Sequence, residues 1–184
     1  MPVLTTDRLT CRPIVSHDWP FFLALQRHPS VMRYVADARS EKQIRDAFDA
    51  RLPAWQPGAA HWLCLVVCDT ATQTPLGVTG YIQHDERSAE VGFLLAAEAQ
   101  GKGYGMESLR AVCDYAFTTG GLHRLTACVT EGNQASRRLL EKTGFVLEGT
   151  LLESYWLEQR WQNDWLFGLL KRDYFATSTT LATK

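Results

Sequence analysis

A glycine-rich segment between a strand pattern and an amphipathic helix pattern restricts the possible folds of this chain most. Gln100-Gly101-Lys102-Gly103-Tyr104-Gly105 follows the alternating run of residues 88–95, and after Gly103 the hydrophobic period changes from two to about 3.6. The apolar residues on one face of the predicted helix are Met106, Leu109, Val112, Cys113, Ala116 and Phe117. Glycines allow positive φ and close backbone approach, and a helix start presents unpaired N–H groups and a positive dipole end. The segment is therefore predicted to bind a phosphate or pyrophosphate.

Two common phosphate motifs do not fit this segment. A nucleotide P-loop needs Gly-x-x-x-x-Gly-Lys-Ser/Thr, whereas Met106 follows Gly105. In the dinucleotide pattern Gly-x-Gly-x-x-Gly, counted from Gly101 or Gly103, Met106 or Ser108 replaces the third glycine. That pattern also requires a parallel sheet, which the order of elements does not support. The remaining alternative is a glycine turn that only starts a helix, because short glycine patterns have low specificity.

The rest of the chain predicts one domain, residues 1–176, and a disordered Ser/Thr/Ala-rich tail at residues 177–184. The predicted strands cover residues 5–14, 61–68, 75–83, 88–95, 123–129, 145–157 and 160–170. The predicted helices cover residues 16–27, 40–52, 104–119 and 133–143, the second beginning with a Ser40–Gln43 capping box. Because strands and helices do not alternate strictly, the fold class is α/β or α+β with a mostly antiparallel sheet.

Charge and residue spacing exclude several classes of protein. The 184 residues carry a formal net charge of -1, so nothing indicates binding to nucleic acid or to an anionic membrane. No apolar stretch reaches the roughly 18 residues of a membrane span, and residues 1–10 lack signal-peptide features. We therefore expect a cytoplasmic protein. The five cysteines lie among apolar neighbours, which predicts buried, reduced thiols. The five histidines show no metal-ligand spacing, so no metal site is expected.

Four motifs, in order, resemble those of the GNAT N-acetyltransferase superfamily. The pattern Gln100-x-x-Gly103-x-Gly105 after the strand at residues 89–93 resembles its acetyl-coenzyme A loop. Residues 133–136 and 140–145 resemble its second cofactor motif. Residues 6–12 and 29–34 resemble the ribosomal-protein N-terminal acetyltransferase (RimJ/RimL-like) branch. The resemblance covers about residues 5–170.

The resemblance implies a three-layer fold, with helices on both faces of a twisted sheet that is splayed open after the fourth strand. The pantetheine arm of acetyl-CoA would lie in that gap. The residues that would bind the cofactor are Gln100, Gly101, Lys102, Gly103, Tyr104, Gly105 and Met106 at the pyrophosphate, and Phe93, Leu94, Leu95 and Asn133 at the pantetheine arm. A backbone N–H near Leu94 would polarise the thioester carbonyl. No metal is implied.

Acetyl transfer to an amine requires a base for the amine and an acid for the departing thiolate. Strand alternation places the Glu90 side chain on the face of the strand opposite to Ala89 and Val91. Glu90 is therefore either a solvated strand residue or the base, which would act directly or through a water. Ser136 is either the acid or a helix cap. The tyrosine that many superfamily members use as acid would fall at Leu140, and the sequence departs from the pattern there.

The acceptor implied by the resemblance is a protein N-terminal α-amine. The alternative is a small-molecule amine, such as a polyamine, an amino acid or an antibiotic, for which a polyamine enzyme should add acidic residues to the acceptor cleft. A non-catalytic coenzyme A-binding module is a further alternative. The aromatic residues that either line an acceptor pocket or pack in the core are Trp55, Trp62, Tyr81, Tyr155 and Trp156. The protein is expected to be a monomer or a homodimer.

Overall fold

The computed structural model describes residues 2–181, with side chains as far as Ala176, around one central sheet. Within this part of the chain the sheet has eight strands in the order β1-β2-β3-β4-β5-β6-β8-β7. The strands are β1 Leu4–Thr5, β2 Leu9–Pro13, β3 Leu63–Asp69, β4 Pro75–Gln83, β5 Ser88–Leu95, β6 Arg124–Thr130, β7 Val146–Leu157 and β8 Arg160–Leu170. The helices are α1 Trp19–Arg27, α2 Pro29–Met32, α3 Glu41–Asp49, α4 Tyr104–Thr118, α5 Gln134–Thr143 and α6 Lys171–Leu181. Neighbouring strands are antiparallel except β5 and β6, which are parallel.

Most elements begin and end near the residues that the sequence pattern predicts. β4 and β5 have the predicted bounds. The capping box of α3 is confirmed, because the Ser40 N–H donates to Gln43 Oε1 at 2.9 Å and the Gln43 N–H donates to Ser40 Oγ at 3.2 Å. This helix ends at Asp49, earlier than the predicted residue 52.

Two predicted segments differ in the structure. The single strand predicted at residues 5–14 is two short strands, because a turn, in which the Thr6 N–H donates to the Leu9 carbonyl at 2.9 Å, reverses the chain so that β1 and β2 pair with each other. The disordered tail predicted at residues 177–184 is helical at its start, since α6 follows β8 directly and continues to Leu181. Residues 182–184 of that predicted tail lie outside the described residues.

Helices cover both faces of the sheet, and each face has its own apolar core. On one face α4 contributes Leu109, Val112 and Phe117, all fully buried. On the other face α1 and α3 contribute Phe22 and Phe48. This arrangement confirms the predicted three-layer fold with a mixed, mostly antiparallel sheet.

The strands β5 and β6 separate soon after they begin. Their parallel register covers three residue pairs, from Ser88–Arg124 to Glu90–Thr126, and the described residues show no pairing between them beyond that point. β6 instead pairs with β8 along its whole length. Because the predicted first strand is divided into β1 and β2, β5 is the fourth strand of the prediction. The sheet therefore splits where it is expected to.

Candidate active site

The loop that leads into α4 presents a series of free backbone donors. Gly101 (φ 74°) and Gly103 (φ 84°) have left-handed backbone conformations, which strongly favour glycine. Among the described residues, no acceptor bonds the N–H groups of residues 101–106. The loop start is held by Gln100, whose Nε2 donates to the Leu95 carbonyl at 3.1 Å. The donors lie at the positive end of a 15-residue helix, as a pyrophosphate site requires.

Arg8, in the turn before β2, braces this loop from the outside. Its Nη1 donates to the Lys102 carbonyl at 3.1 Å, and its Nε donates to Glu107 Oε2 at 2.7 Å. Its guanidinium also lies 4.7 Å from the centre of the Tyr104 ring. The ion pair is partly exposed and contributes at most about 1 kcal/mol, so the main effect of Arg8 is to fix the shape of the loop. The sequence analysis gave Arg8 no role, although Arg8 belongs to the segment of residues 6–12 that resembles the ribosomal-protein branch.

The separation of β5 from β6 opens a cleft of about 430 Å³. The predicted site residues that line it are Glu90, Phe93, Leu94, Asn133 and Ser136. The structure thus brings both candidate catalytic residues together with part of the predicted pantetheine site. Leu95 and residues 100–106 do not line this cleft; they follow it along the chain, between the end of β5 and the first turn of α4.

The open edge of β5 fits an extended thioester carrier. Residues 91–95 pair with β4 on one side, and the described residues provide no strand partner on the other. Such an edge can pair with an extended chain as if with another strand. The free backbone groups of this edge fit the pantetheine arm of coenzyme A, as the loop fits its pyrophosphate.

Glu90 lies in the cleft, on the sheet face opposite α4. Its neighbours Ala89 and Val91 are buried in the core beneath α4, so strand alternation places Glu90 on the other face, as predicted. His84 Nε2 lies 3.2 Å from Glu90 Oε2. The Glu90 side chain is 35% exposed. A partly solvated carboxylate with an imidazole partner can accept a proton directly or through a water.

The hydroxyl of Ser136 does not cap α5. The cap is Asn133, whose Oδ1 accepts a hydrogen bond from the Ser136 N–H at 3.1 Å. Ser136 lines the cleft, and its hydroxyl makes no hydrogen bond to the described residues. The Ser136 hydroxyl is therefore available to donate to a ligand. For Asn133, Oδ1 is used in the cap, and its amide N–H groups are left for the pantetheine arm.

A tyrosine acid is absent at the position where the superfamily places it, because Leu140 stands there and is fully buried. Tyr155 lines the cleft, but its hydroxyl donates to the Val35 carbonyl at 2.8 Å. Of the other aromatic candidates Trp62 lines the cleft, and the remaining three lie elsewhere: Trp55 and Tyr81 in the core and Trp156 at the surface.

Cys128 and Asp164 are among the cleft residues that the sequence analysis did not single out. Asp164 pairs with Thr130, and strand alternation places Cys128 and Thr130 on the same face of β6. Cys128 is exposed, unlike the other four cysteines, which are buried as expected. Partial desolvation in the cleft, followed by the negative charges of Asp164 and Glu90, raises the pKa of its thiol to about 11. The thiol is therefore neutral near pH 7 and a weak nucleophile, which favours direct transfer over an acyl-cysteine intermediate. No sequence pattern indicated these residues, because the register of β8 against β6 could not be read.

Comparison with known proteins identifies the family. Residues 8–146 match the family described as "Acetyltransferase (GNAT) domain", and the chain belongs to that family. It is an acetyl-CoA-dependent N-acetyltransferase, as the resemblance of its motifs implies. Within residues 2–181 no group of three or more His, Cys, Asp or Glu side chains is placed to hold a metal ion. No helix in the same range is long and apolar enough to cross a membrane.

The relatives are named mainly for small-molecule acetylation or have no assigned acceptor. The uncharacterized N-acetyltransferase p20 of Bacillus licheniformis is 29% identical over 178 residues, 95% of this chain and 99% of that protein. The spermidine N(1)-acetyltransferase of Vibrio cholerae is 32% identical over 187 residues, 95% of this chain and 96% of that protein. A crystal structure of spermidine N-acetyltransferase from Vibrio cholerae in complex with CoA and spermine matches with a TM-score of 0.80 and 26% identity, covering 92% and 99% of the two chains.

Proposed function

We propose that this enzyme acetylates a primary amine of a small cationic molecule. The observation that carries the proposal is a bridge between two walls of the cleft. The Tyr155 hydroxyl donates to the Val35 carbonyl, and the Glu158 N–H donates to Asp37 Oδ1 at 3.0 Å, which joins the β7–β8 hairpin to the segment between α2 and α3. A bridged cleft admits a slender amine more readily than the terminus of a folded protein. The two spermidine N-acetyltransferase matches support the same choice.

Each candidate catalytic group in the cleft has its own role in the transfer. A neutral amine attacks the acetyl carbon, so that a C–N bond forms while the C–S bond breaks. Glu90 accepts the proton that the nitrogen releases, directly or through a water. The Ser136 hydroxyl donates to the departing sulfur and regains a proton from solvent. A backbone N–H near Leu94 stabilises the negative charge that develops on the carbonyl oxygen.

The cofactor would be held by backbone groups on both sides of the reacting centre. The N–H groups of residues 101–106 bind the pyrophosphate, while Gln100, whose own N–H donates to the Ala97 carbonyl, holds the start of the loop; the edge of Phe93, Leu94 and Leu95 pairs with the pantetheine arm. The Asn133 amide donates to the same arm. The loop and the strand edge offer backbone groups, and the Asn133 side chain is held in place by the cap of α5, so these contacts fix the position of the thioester without depending on long flexible side chains.

The acceptor's pKa determines how much base catalysis is needed. An amine with a pKa of about 10.4 costs about 4–5 kcal/mol to deprotonate at pH 7, whereas an α-amine with a pKa near 8 costs about 1 kcal/mol. An acceptor amine with the higher pKa depends more on a base, and Glu90, which has His84 beside it, can supply that base. The cleft also has carboxylates that favour a cationic acceptor, Glu90 and Asp164.

A protein N-terminal α-amine is the second candidate acceptor. It is favoured by the resemblance of residues 6–12 and 29–34 to the ribosomal-protein branch. The spermidine N-acetyltransferases named above favour the small-molecule acceptor instead, so the two candidates are best separated by direct assay.

The deciding experiment measures coenzyme A release with a panel of acceptors. The panel contains spermidine, a simple monoamine, an amino acid, an aminoglycoside and peptides with free α-amines, with Glu90→Gln as the matched control enzyme. We expect spermidine or another polyamine to give the highest kcat/KM. A peptide with the highest kcat/KM would refute the proposal in favour of the second candidate. Coenzyme A binding without turnover of any acceptor would indicate a non-catalytic module.

A further inference from the structure

The buried carboxylate of Asp164 has no positively charged partner in the described chain. The residue is 8% exposed and lines the cleft. Its Oδ2 accepts a hydrogen bond from the Ser154 hydroxyl at 2.8 Å, and the Cys128 thiol is its other polar neighbour. Among residues 2–176, no lysine, arginine or histidine nitrogen lies within 4.0 Å of it. The two polar neighbours of Asp164, the Ser154 hydroxyl and the Cys128 thiol, are both neutral, so neither compensates its negative charge.

Asp18, the second buried carboxylate of the described chain, has the positively charged partner that a buried carboxylate normally requires. Asp18 is 5% exposed, and Arg12 donates to both of its oxygens, at 2.8 and 2.7 Å. Burying a carboxylate is costly unless a positive charge compensates it. Asp18 receives that compensation from within the chain, while Asp164 faces a cleft that a substrate enters.

Asp164 and Glu90 belong to the same face of the sheet. Glu90 pairs with Thr126 and Asp164 pairs with Thr130, and alternation puts Thr126 and Thr130 on one face of β6. Cys128 lies between these two positions on β6, and both carboxylates raise the pKa of its thiol. The two carboxylates are thus placed on either side of one point in the cleft.

The other charged residue in the cleft lining does not neutralise Asp164. Arg51 donates to the Ala47 carbonyl, and its guanidinium lies 5.7 Å from the Phe22 ring, next to α1. The cleft therefore has a positive group near α1 and two negative groups near β6.

We propose that Asp164 binds a second ammonium group of the acceptor, while Glu90 serves the amine that is acetylated. This inference rests on the proposed function and makes it more specific: the acceptor is a diamine or polyamine, and Asp164 determines that specificity. A charge-assisted hydrogen bond to a buried carboxylate is stronger than one between neutral groups. A monoamine of equal length can reach Glu90 but leaves Asp164 without a cation.

The test compares putrescine with n-butylamine, which have the same carbon chain and differ by one amino group. For the unchanged enzyme we expect KM to be at least about tenfold lower for putrescine, the loss of one charge-assisted bond being worth about ten- to a hundredfold. In Asp164→Asn, which retains an acceptor for the Ser154 hydroxyl, KM for putrescine should rise by that factor. Its kcat, and the KM for n-butylamine, should change little.

Three controls separate specificity from structural effects. Ser154→Ala removes the neutral donor without changing the charge, and should leave the preference for putrescine intact. Asp46→Asn removes an exposed carboxylate on α3 that pairs with Lys42 and does not line the cleft, and it should leave KM for both amines unchanged. Thermal unfolding and coenzyme A titration check whether Asp164→Asn is folded and binds its cofactor; we expect both to be retained.

The possible outcomes distinguish failure of the role of Asp164 from failure of the proposed function. Equal KM changes for both amines in Asp164→Asn, or no preference of the unchanged enzyme for putrescine, would overturn the role of Asp164 while the proposed function stands. A loss of kcat with a displaced pH–rate profile would make Asp164 a base rather than a binding group, and would also overturn it. If the unchanged enzyme acetylates peptides and neither amine, the proposed function and this inference both fail.

Discussion

Gly103 offers the most direct test of how the chain binds acetyl-CoA. The residue has φ 84° immediately before α4, and a Cβ built there would lie 3.3 Å from Arg8 Nη2. In Gly103→Ala the left-handed conformation costs about 1–2 kcal/mol, and the reduced freedom of the unfolded chain offsets about 0.4–1 kcal/mol of it. We therefore expect a net loss of about 1 kcal/mol, which lowers Tm by about 2–4 °C in a chain of this size.

The effect on the cofactor should be larger than the effect on stability. Relief of the strain rotates the peptide groups on either side of Gly103, and the methyl group displaces Arg8, which braces Lys102. Each N–H that turns away from the pyrophosphate costs about 1.5–3 kcal/mol, because the bond is to a charged group. Calorimetric titration should therefore show coenzyme A binding weakened by about ten- to a hundredfold.

Gly121 supplies a matched control near the other end of α4. It has φ 65°, and a Cβ there would meet nothing within 4 Å, so Gly121→Ala carries similar backbone strain away from the loop. It should lose similar stability and keep its affinity for coenzyme A. If Gly103→Ala binds coenzyme A as tightly as Gly121→Ala does, the pyrophosphate is not held by this loop and the placement of the cofactor is wrong.

Three further predictions concern catalysis and folding. Glu90→Gln should lower kcat by about 10²- to 10⁴-fold and remove the acid limb of the pH–rate profile, which steady-state kinetics will show; an unaltered profile would exclude Glu90 as base. Ser136→Ala should lower kcat without changing Tm, whereas Asn133→Ala should cost about 1 kcal/mol of stability because it removes the cap of α5; equal loss of stability in both would contradict these roles. Burial alone would raise the pKa of Asp18, but hydrogen bonds from Arg12 and a backbone N–H outweigh it and lower that pKa. Its stabilising contribution is thus complete above the unfolded pKa of about 3.9 and is lost as the pH falls through the folded value. Arg12→Met should cost about 3 kcal/mol at neutral pH by denaturant titration, and a loss below about 1 kcal/mol would contradict the pairing.

The elements that were predicted accurately depend on local sequence. The bounds of β4 and β5 follow from alternation between turn residues, and the start of α3 follows from Ser40 and Gln43, three residues apart. The side on which Glu90 lies follows from strand period alone. The location of the split in the sheet came from the resemblance of the motifs, since no local pattern indicates where two strands stop pairing.

The residues that were missed depend on contacts between distant segments. Arg8 reaches Lys102 and Glu107 across about a hundred positions of sequence, and nothing near Arg8 in the chain predicts that contact. Asp164 reaches the cleft only because β8 inserts between β6 and β7. His84 is a different case: it lies six positions before Glu90 across a hairpin, and the predicted β4–β5 pairing could have suggested their contact.

The chemistry of this enzyme depends on the point where β5 and β6 stop pairing. Parallel strands require a crossover connection, here through α4, so the loop proposed to bind the pyrophosphate necessarily lies after the end of β5. If pairing continued to the end of β5, the carrier arm would find no open edge, and Glu90 would face an intact sheet. Because pairing ends at Glu90–Thr126, the residue that marks the fork is also the candidate base. Beyond this point β6 continues to Thr130, where Asp164 is paired, so both carboxylates of the cleft lining lie along the strand that separates from β5.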